Sequence, residues 1–226
     1  MPSSPLWAEA RRLRSCPRLE LAYHPATMAI RAALFDMDGT IWDSPIDWQQ
    51  VRQAIGLPRD GRPIAEHLLA MPPEERARGI QILEHYEALG VELGRPMAGG
   101  EELVQLLRRL DVTCILITNN SQRSARAVLD RHPLPFDRVV TRDDGVIKPN
   151  PEAFARPLRE LGVLPGEAVA IGDSHLDLLT AHRAGIAQIV LVAPRGWVRE
   201  LFVKDVAFWE AEDLAEVAGI LLRLLS

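Results

Sequence analysis

Two aspartates, Asp36 and Asp38, stand one residue apart at the end of the apolar run "AALFD", and Gly39 follows directly. Like charges at that range repel, and apolar surroundings strengthen the repulsion. The pair therefore needs a use or a counter-charge. A carboxylate held against phosphorus or carbon can attack it and form a covalent intermediate. A second carboxylate two positions on can hand a proton to a leaving group or take one from water. Gly39 lets the backbone turn sharply and aim N–H groups at an anion. The plainer alternative is an Asp-rich loop that caps a turn.

Three further stretches carry the same kind of chemistry. In "LITNNS" (116–121) Thr118 and Asn119 end an apolar run ahead of a helical pattern. Hydroxyl, amide and helix N-terminus together make an anion cradle, with Asn120 and Ser121 read as caps. Lys148 lies in "DGVIKPNP", in a chain whose only other lysine is Lys204. Lysine brings a compact point charge where arginine brings a broad fork, which suits a crowded phosphate and carboxylate site; a solvated loop lysine is the alternative. In "AIGDSHLDLLTAHRAG" Asp173 ends an apolar run and Asp177 follows one helical turn later, so both can face one site. Asp36 with Asp173 offers hard oxygen ligands of the kind Mg²⁺ takes alongside water and substrate phosphate. Asp177 could instead serve its own helix as a cap, and His175 is read as a neighbour of the site, not a ligand.

These residues need elements to hold them. The apolar runs at 32–36, 112–119, 138–141, 168–173 and 187–192 alternate with helical patterns at 100–110, 121–132, 150–162 and 174–185. A strand and an amphipathic helix at 212–225 close the chain. Such alternation, with near-continuous apolar strands, predicts a parallel sheet covered on both faces. Ligands of such sheets bind at the carboxyl ends of the strands, where Asp36, Thr118, Asn119 and Asp173 all fall. One segment breaks the pattern. Residues 46–56, 62–71 and 72–94 read as helices without a strand between them, the last with a stripe of Ile80, Leu83, Tyr86 or Glu87, and Val91. The predicted organisation is an N-terminal extension over 1–29, a core from 30–44 and 97–226, and a helical domain over 45–96 inserted after the first strand. Residues 1–27 have no place in that core, and Met28 is a candidate natural start.

Composition sets outer bounds. A formal net charge of -5 argues against a nucleic-acid partner. No apolar run reaches the roughly 20 residues of a membrane span. The N-terminus lacks the apolar core of a secretory signal. Two cysteines, Cys16 and Cys114, give no disulfide framework. A cytoplasmic, reducing setting is expected.

The four stretches together, in this order, resemble the motifs of the haloacid dehalogenase superfamily: "DMDGT", Thr118, Lys148 and "GDSHLD". The resemblance spans about residues 30–195, and its helical insertion is similar to the cap of the phosphoglycolate phosphatase-like subfamily. It implies a Rossmann-like core and Mg²⁺-dependent phosphoryl transfer through an aspartyl phosphate. It assigns Asp36 as nucleophile and Asp38 as general acid and base. Mg²⁺ would be held by the Asp36 and Asp173 side chains and the Asp38 backbone carbonyl. Thr118 and Lys148 would hold the phosphoryl group, with Gly39 and Asn119 as further phosphate contacts and Asp177 in support. The second aspartate favours phosphate esters, since a dehalogenase has no alkoxide to protonate. The expected partner is a small phosphorylated metabolite. A phosphomutase of the β-phosphoglucomutase type and a non-catalytic metal- or phosphate-binding module are the competing readings. Asp47, Trp48, Arg52 and His67 are candidates for further polar groups on the insertion.

Overall fold

A computed structural model describes residues 29–194 and 206–225. The expected N-terminal extension, Ala29 apart, lies outside the described residues, as does Lys204. In chain order, β1 (Ala32–Phe35) and β2 (Trp42–Asp43) precede α1 (Trp48–Ile55), α2 (Ile64–Ala70) and α3 (Pro73–Leu93). Then come β3 (Arg95–Pro96), α4 (Gly100–Arg109), β4 (Thr113–Ile117), α5 (Gln122–Arg131), β5 (Arg138–Val140) and α6 (Glu152–Glu160). The described chain ends with β6 (Ala168–Gly172), α7 (His175–Arg183), β7 (Gln188–Val192), β8 (Trp209–Ala211) and α8 (Leu214–Leu224).

The six longer-range strands form one parallel sheet in the order β5-β4-β1-β6-β7-β8. Helices cover both faces, and period-two alternation assigns the side chains. Ala33 and Phe35 join Leu103, Val104 and Leu107 of α4 and Val217 and Leu221 of α8 on one face. Ala32 and Leu34 join Phe154 and Leu158 of α6 and Leu178 of α7 on the other. Every residue of β1 and β6 is buried, so these strands can be apolar throughout. The predicted three-layer α/β Rossmann-like core is what the chain adopts. Cys114 belongs to that core; burial, then Asp137, pushes its thiol up to about 12, which leaves it unreactive.

The strand order explains where a ligand would sit. From β1 the chain builds outward through β4 and β5, then returns to the other side of β1 for β6, β7 and β8. The reversal occurs at β1, and the crevice of such a sheet opens at the carboxyl ends around that switch point.

Helices α1–α3 leave and re-enter through a short antiparallel ribbon that the sequence pattern does not predict, with Trp42 opposite Pro96 and Asp43 opposite Arg95. They share a small apolar cluster of Ile46, Val51, Leu68 and Leu83. Trp42 anchors the ribbon in the main core and its Nε1 donates to the Gly90 carbonyl of α3 at 3.0 Å. The buried stripe of α3 runs through Gly79, Leu83, Glu87, Gly90 and Val91. Ile80, expected in it, is 37% exposed, because residues 79, 83, 87 and 90 fall on one line and 80 lies beside it. No helix among the described residues is long and apolar enough to cross a membrane.

Candidate active site

The switch point places Asp36 directly after β1, where its own N–H still donates to the Ile171 carbonyl of β6 at 2.9 Å. Lys148 reaches across from the loop ahead of α6. Its Nζ donates to Asp36 Oδ1 and to Asp177 Oδ1, both at 2.6 Å. The lysine is 3% exposed. Burial alone would favour the neutral amine, but Asp177 and then Asp36 outweigh it and hold the ammonium above its ordinary range. Asp177 is committed at its other oxygen too: Oδ2 accepts from Ser174 N at 3.1 Å and Ser174 Oγ at 2.5 Å, the capping box of α7. One carboxylate thus both caps α7 and pairs with Lys148.

Asp173 stands apart. It has no hydrogen bond or ion pair among the described residues, yet oxygens of Asp36, Asp173 and Asp177 all lie within 4.8 Å of one another. Burial, then Asp36 and Asp177, push its carboxyl well above the usual range. Burial, then Asp177, raise Asp36 to about 6 against the opposing pull of Lys148. One lysine does not neutralise three carboxylates. The donor set thus fits a hard divalent cation beside Asp36 and Asp173, with Asp177, already bonded to Lys148 and Ser174, at the edge of the same cluster. Asp173 is half-buried and lines the cavity, so its free oxygens face the space where a cation would sit.

Glycine makes this packing possible at two points. Gly39 has φ +78°, and a Cβ there would lie 2.2 Å from Asp173 Oδ2. A Cβ at Gly172 would lie 2.4 Å from Asp177 Cγ. Gly39 is needed for close approach of a carboxylate. Its own N–H donates to the Trp42 carbonyl at 2.8 Å, and the residue lines the cavity.

Asp38 faces a different set of groups. Its Oδ2 accepts from Asn120 Nδ2 at 2.7 Å. Burial, then Asp36 and Glu87, raise it to about 7, with Asn120 opposing. Its side chain is absent from the acidic cluster, in keeping with a proton-carrying task separate from metal binding. Thr118 is buried at the end of β4; its Oγ1 accepts from Asn120 N at 3.1 Å, which leaves the hydroxyl proton free for an anion.

Asn119 lines the cavity, but its amide is engaged elsewhere. Nδ2 donates to the Lys148 carbonyl at 2.9 Å and Oδ1 accepts from Lys148 N at 2.8 Å. The side chain thereby clamps the backbone that presents the lysine. Asn120, read as a helix cap, is the holder of Asp38; Ser121 alone caps α5. The missed signal was the second asparagine itself, since one cap residue suffices for one helix.

A cavity of about 190 Å³ opens above these groups, floored by the strand ends and walled by the insertion. Trp48 and Arg52 of α1 line it, as does Arg62; Asp47 and His67 do not. Asp47 caps α1 through Gln49 N, and His67 pairs with Asp60 at 3.0 Å. Arg52 is buried and its Nη1 donates to the Pro58 carbonyl at 2.7 Å. His175 is buried and donates Nε2–H to the Gly61 carbonyl at 2.7 Å, a tie from α7 to the insertion. Burial holds its ring below the ordinary histidine range.

Known proteins resemble this one along most of its length. The family described as Haloacid dehalogenase-like hydrolase matches residues 33–191. The chain belongs to the haloacid dehalogenase-like hydrolases. Among its relatives, a phosphoglycolate phosphatase of Xylella fastidiosa is 27% identical over 85% of this chain and 92% of that protein. An N-acetylmuramic acid 6-phosphate phosphatase of Pseudomonas aeruginosa is 28% identical over 70% of this chain and 80% of its own length. A hydrolase of Pseudomonas syringae of known structure superposes with a TM-score of 0.69 over 87% of this chain and all of its own, at 22% identity, a likeness that supports the fold alone.

Proposed function

We propose that the protein is a Mg²⁺-dependent phosphatase of small phosphomonoesters. The observation that carries this reading is the separation of the two motif aspartates. Asp36 is drawn to Lys148 and lies beside the unpaired Asp173, while Asp38 is drawn away to Asn120. One carboxylate is set to attack and the other to carry a proton.

The Lys148 hydrogen bond falls on Asp36 Oδ1, and Oδ2 is the attacking atom. It bonds to phosphorus as the ester P–O bond breaks, and Asp38, protonated near neutrality by its raised pKa, gives its proton to the leaving alkoxide. A water then attacks the phosphorus of the aspartyl phosphate. Asp38 takes the water's proton, phosphate leaves, and the Asp36 carboxylate is restored. Thr118 and Lys148 hold the phosphoryl oxygens. Asp36, Asp173 and the Asp38 carbonyl would hold the cation, which would supply charge neutralisation and orientation there. Helices α1–α3 act as a cap over a small substrate.

A phosphate-release screen with phosphoglycolate, sugar phosphates and nucleotides, with Mg²⁺ or with chelator, tests the reading. It predicts release from at least one small ester, dependent on Mg²⁺. Isomerisation of a hexose 1-phosphate without free phosphate would favour the mutase reading. Mg²⁺ and phosphate binding without turnover of any ester would favour a sensing module.

A further inference from the structure

Helix α3 buries a carboxylate that the proposed chemistry does not use. Glu87 is 4% exposed on the face of α3 that meets the core. A buried carboxylate persists only when its oxygens are bonded. Both are. Oε2 accepts from Ser121 Oγ at 2.8 Å and from Ser121 N at 3.4 Å, and Oε1 accepts from Arg142 Nη1. Arg142 in turn holds the same segment by its backbone: its N–H donates to the Asn120 carbonyl at 3.1 Å.

The segment so gripped places the active site. In four successive residues, Thr118 faces the cavity, Asn119 clamps the Lys148 backbone, Asn120 holds the Asp38 carboxyl, and Ser121 meets Glu87. No free backbone separates Asn120 from Ser121. A shift of α3 away from the core would release Ser121 and with it the donor that orients Asp38. Reactive groups misplaced by about 1 Å can lose on the order of 100-fold in rate.

We infer that Glu87 is a positioning residue for the proton-transfer step: the seating of α3 on the start of α5 fixes Asn120 and, through it, the Asp38 carboxyl against the leaving group. The inference rests on the phosphatase reading. It makes the insertion part of the acid's alignment as well as a cover.

A plain docking ion pair would affect every substrate alike, whereas a positioning role depends on the leaving group. An alkoxide needs its proton; p-nitrophenolate departs without one. The experiment compares kcat/KM of wild type, Glu87→Gln, Glu87→Ala and Asn120→Ala on p-nitrophenyl phosphate and on phosphoglycolate or a hexose 6-phosphate, whichever wild type hydrolyses faster. Thermal melting is followed in parallel. Glu87→Ala should lose about 10- to 100-fold on the alkyl ester and only a few-fold on p-nitrophenyl phosphate. Glu87→Gln, which keeps an acceptor for Ser121, should lie between it and wild type. The double variant Glu87→Ala/Asn120→Ala should lose little more selectivity than Asn120→Ala alone. Equal losses on both esters, or none in a folded variant, would overturn the inference. If Glu87→Ala does not fold, the same comparison made with Glu87→Gln decides. Wild type inert on p-nitrophenyl phosphate and on every ester of the phosphate-release screen would instead overturn the phosphatase reading, and the inference with it.

Discussion

At the residue scale, one spacing serves two unlike carboxylates. Asp36 and Asp38 are two positions apart, but Lys148 takes one and Asn120 the other. Two predictions belong here. Asp38→Asn should slow an alkyl phosphate by about 100- to 10,000-fold, the usual reach of a general acid, and p-nitrophenyl phosphate far less; steady-state kinetics on both esters would show it. The second concerns pH. Burial raises Asp38 to about 7 and Asp36 to about 6, so the metal-free native state keeps protons that the unfolded chain has lost. Stability then falls as pH rises from about 4 to about 7, the direction required when the native state binds more protons. The effect is on the order of a few kcal/mol. Melting in chelator should give a higher Tm at pH 5 than at pH 7.5. Asp38→Asn should flatten that slope, and Mg²⁺ should offset the loss at the higher pH.

At the scale of elements, turns fit the charges together. The turn after β1 requires Gly39 because Asp173 lies where a Cβ would go, and its φ of +78° strains other residues. Gly39→Ala should displace Asp173, weaken Mg²⁺ binding by at least about tenfold, some 1.4 kcal/mol, and leave the sheet folded; calorimetric titration with Mg²⁺ and far-UV circular dichroism would read the two effects. The strands and helices were legible in the sequence because buried parallel strands write themselves as apolar runs and helices as period-3.6 stripes. The residues at strand ends were legible because the fold collects them at one edge. Asn120 and Glu87 were not legible as site residues. Their partners, Asp38 and Ser121, lie 82 and 34 residues away, and nothing local marks the pairing. The bonds that Gly39 makes to Trp42 and Asn119 to Lys148 were not legible either, because sequence shows which groups are available and not which are bonded to which. The β2–β3 ribbon escaped notice because two-residue strands leave no periodicity to read.

At the scale of the whole molecule, a sheet holds Asp36 at its switch point and helices α1–α3 wall the cavity above it. The contacts between them are specific: Glu87 to Ser121 and Arg142, His175 to Gly61, and Arg131 Nη1 to the Val91 carbonyl at 2.7 Å. A cavity of about 190 Å³ is small beside the roughly 300 Å³ or more of pockets for drug-sized ligands. The enzyme should therefore release phosphate from small esters and not measurably from phosphoproteins or nucleic-acid ends, which a malachite-green assay of both classes would check.

The central claim is that Asp36 attacks phosphorus with the help of a bound cation. Phosphate release from the best small ester, measured for wild type and Asp36→Asn with Mg²⁺ and with chelator, tests it most directly. The account predicts turnover only in the wild type supplied with Mg²⁺, because an amide in place of this carboxylate cannot serve as the nucleophile. Full activity of the Asp36→Asn variant, or undiminished wild-type activity in chelator, would contradict it.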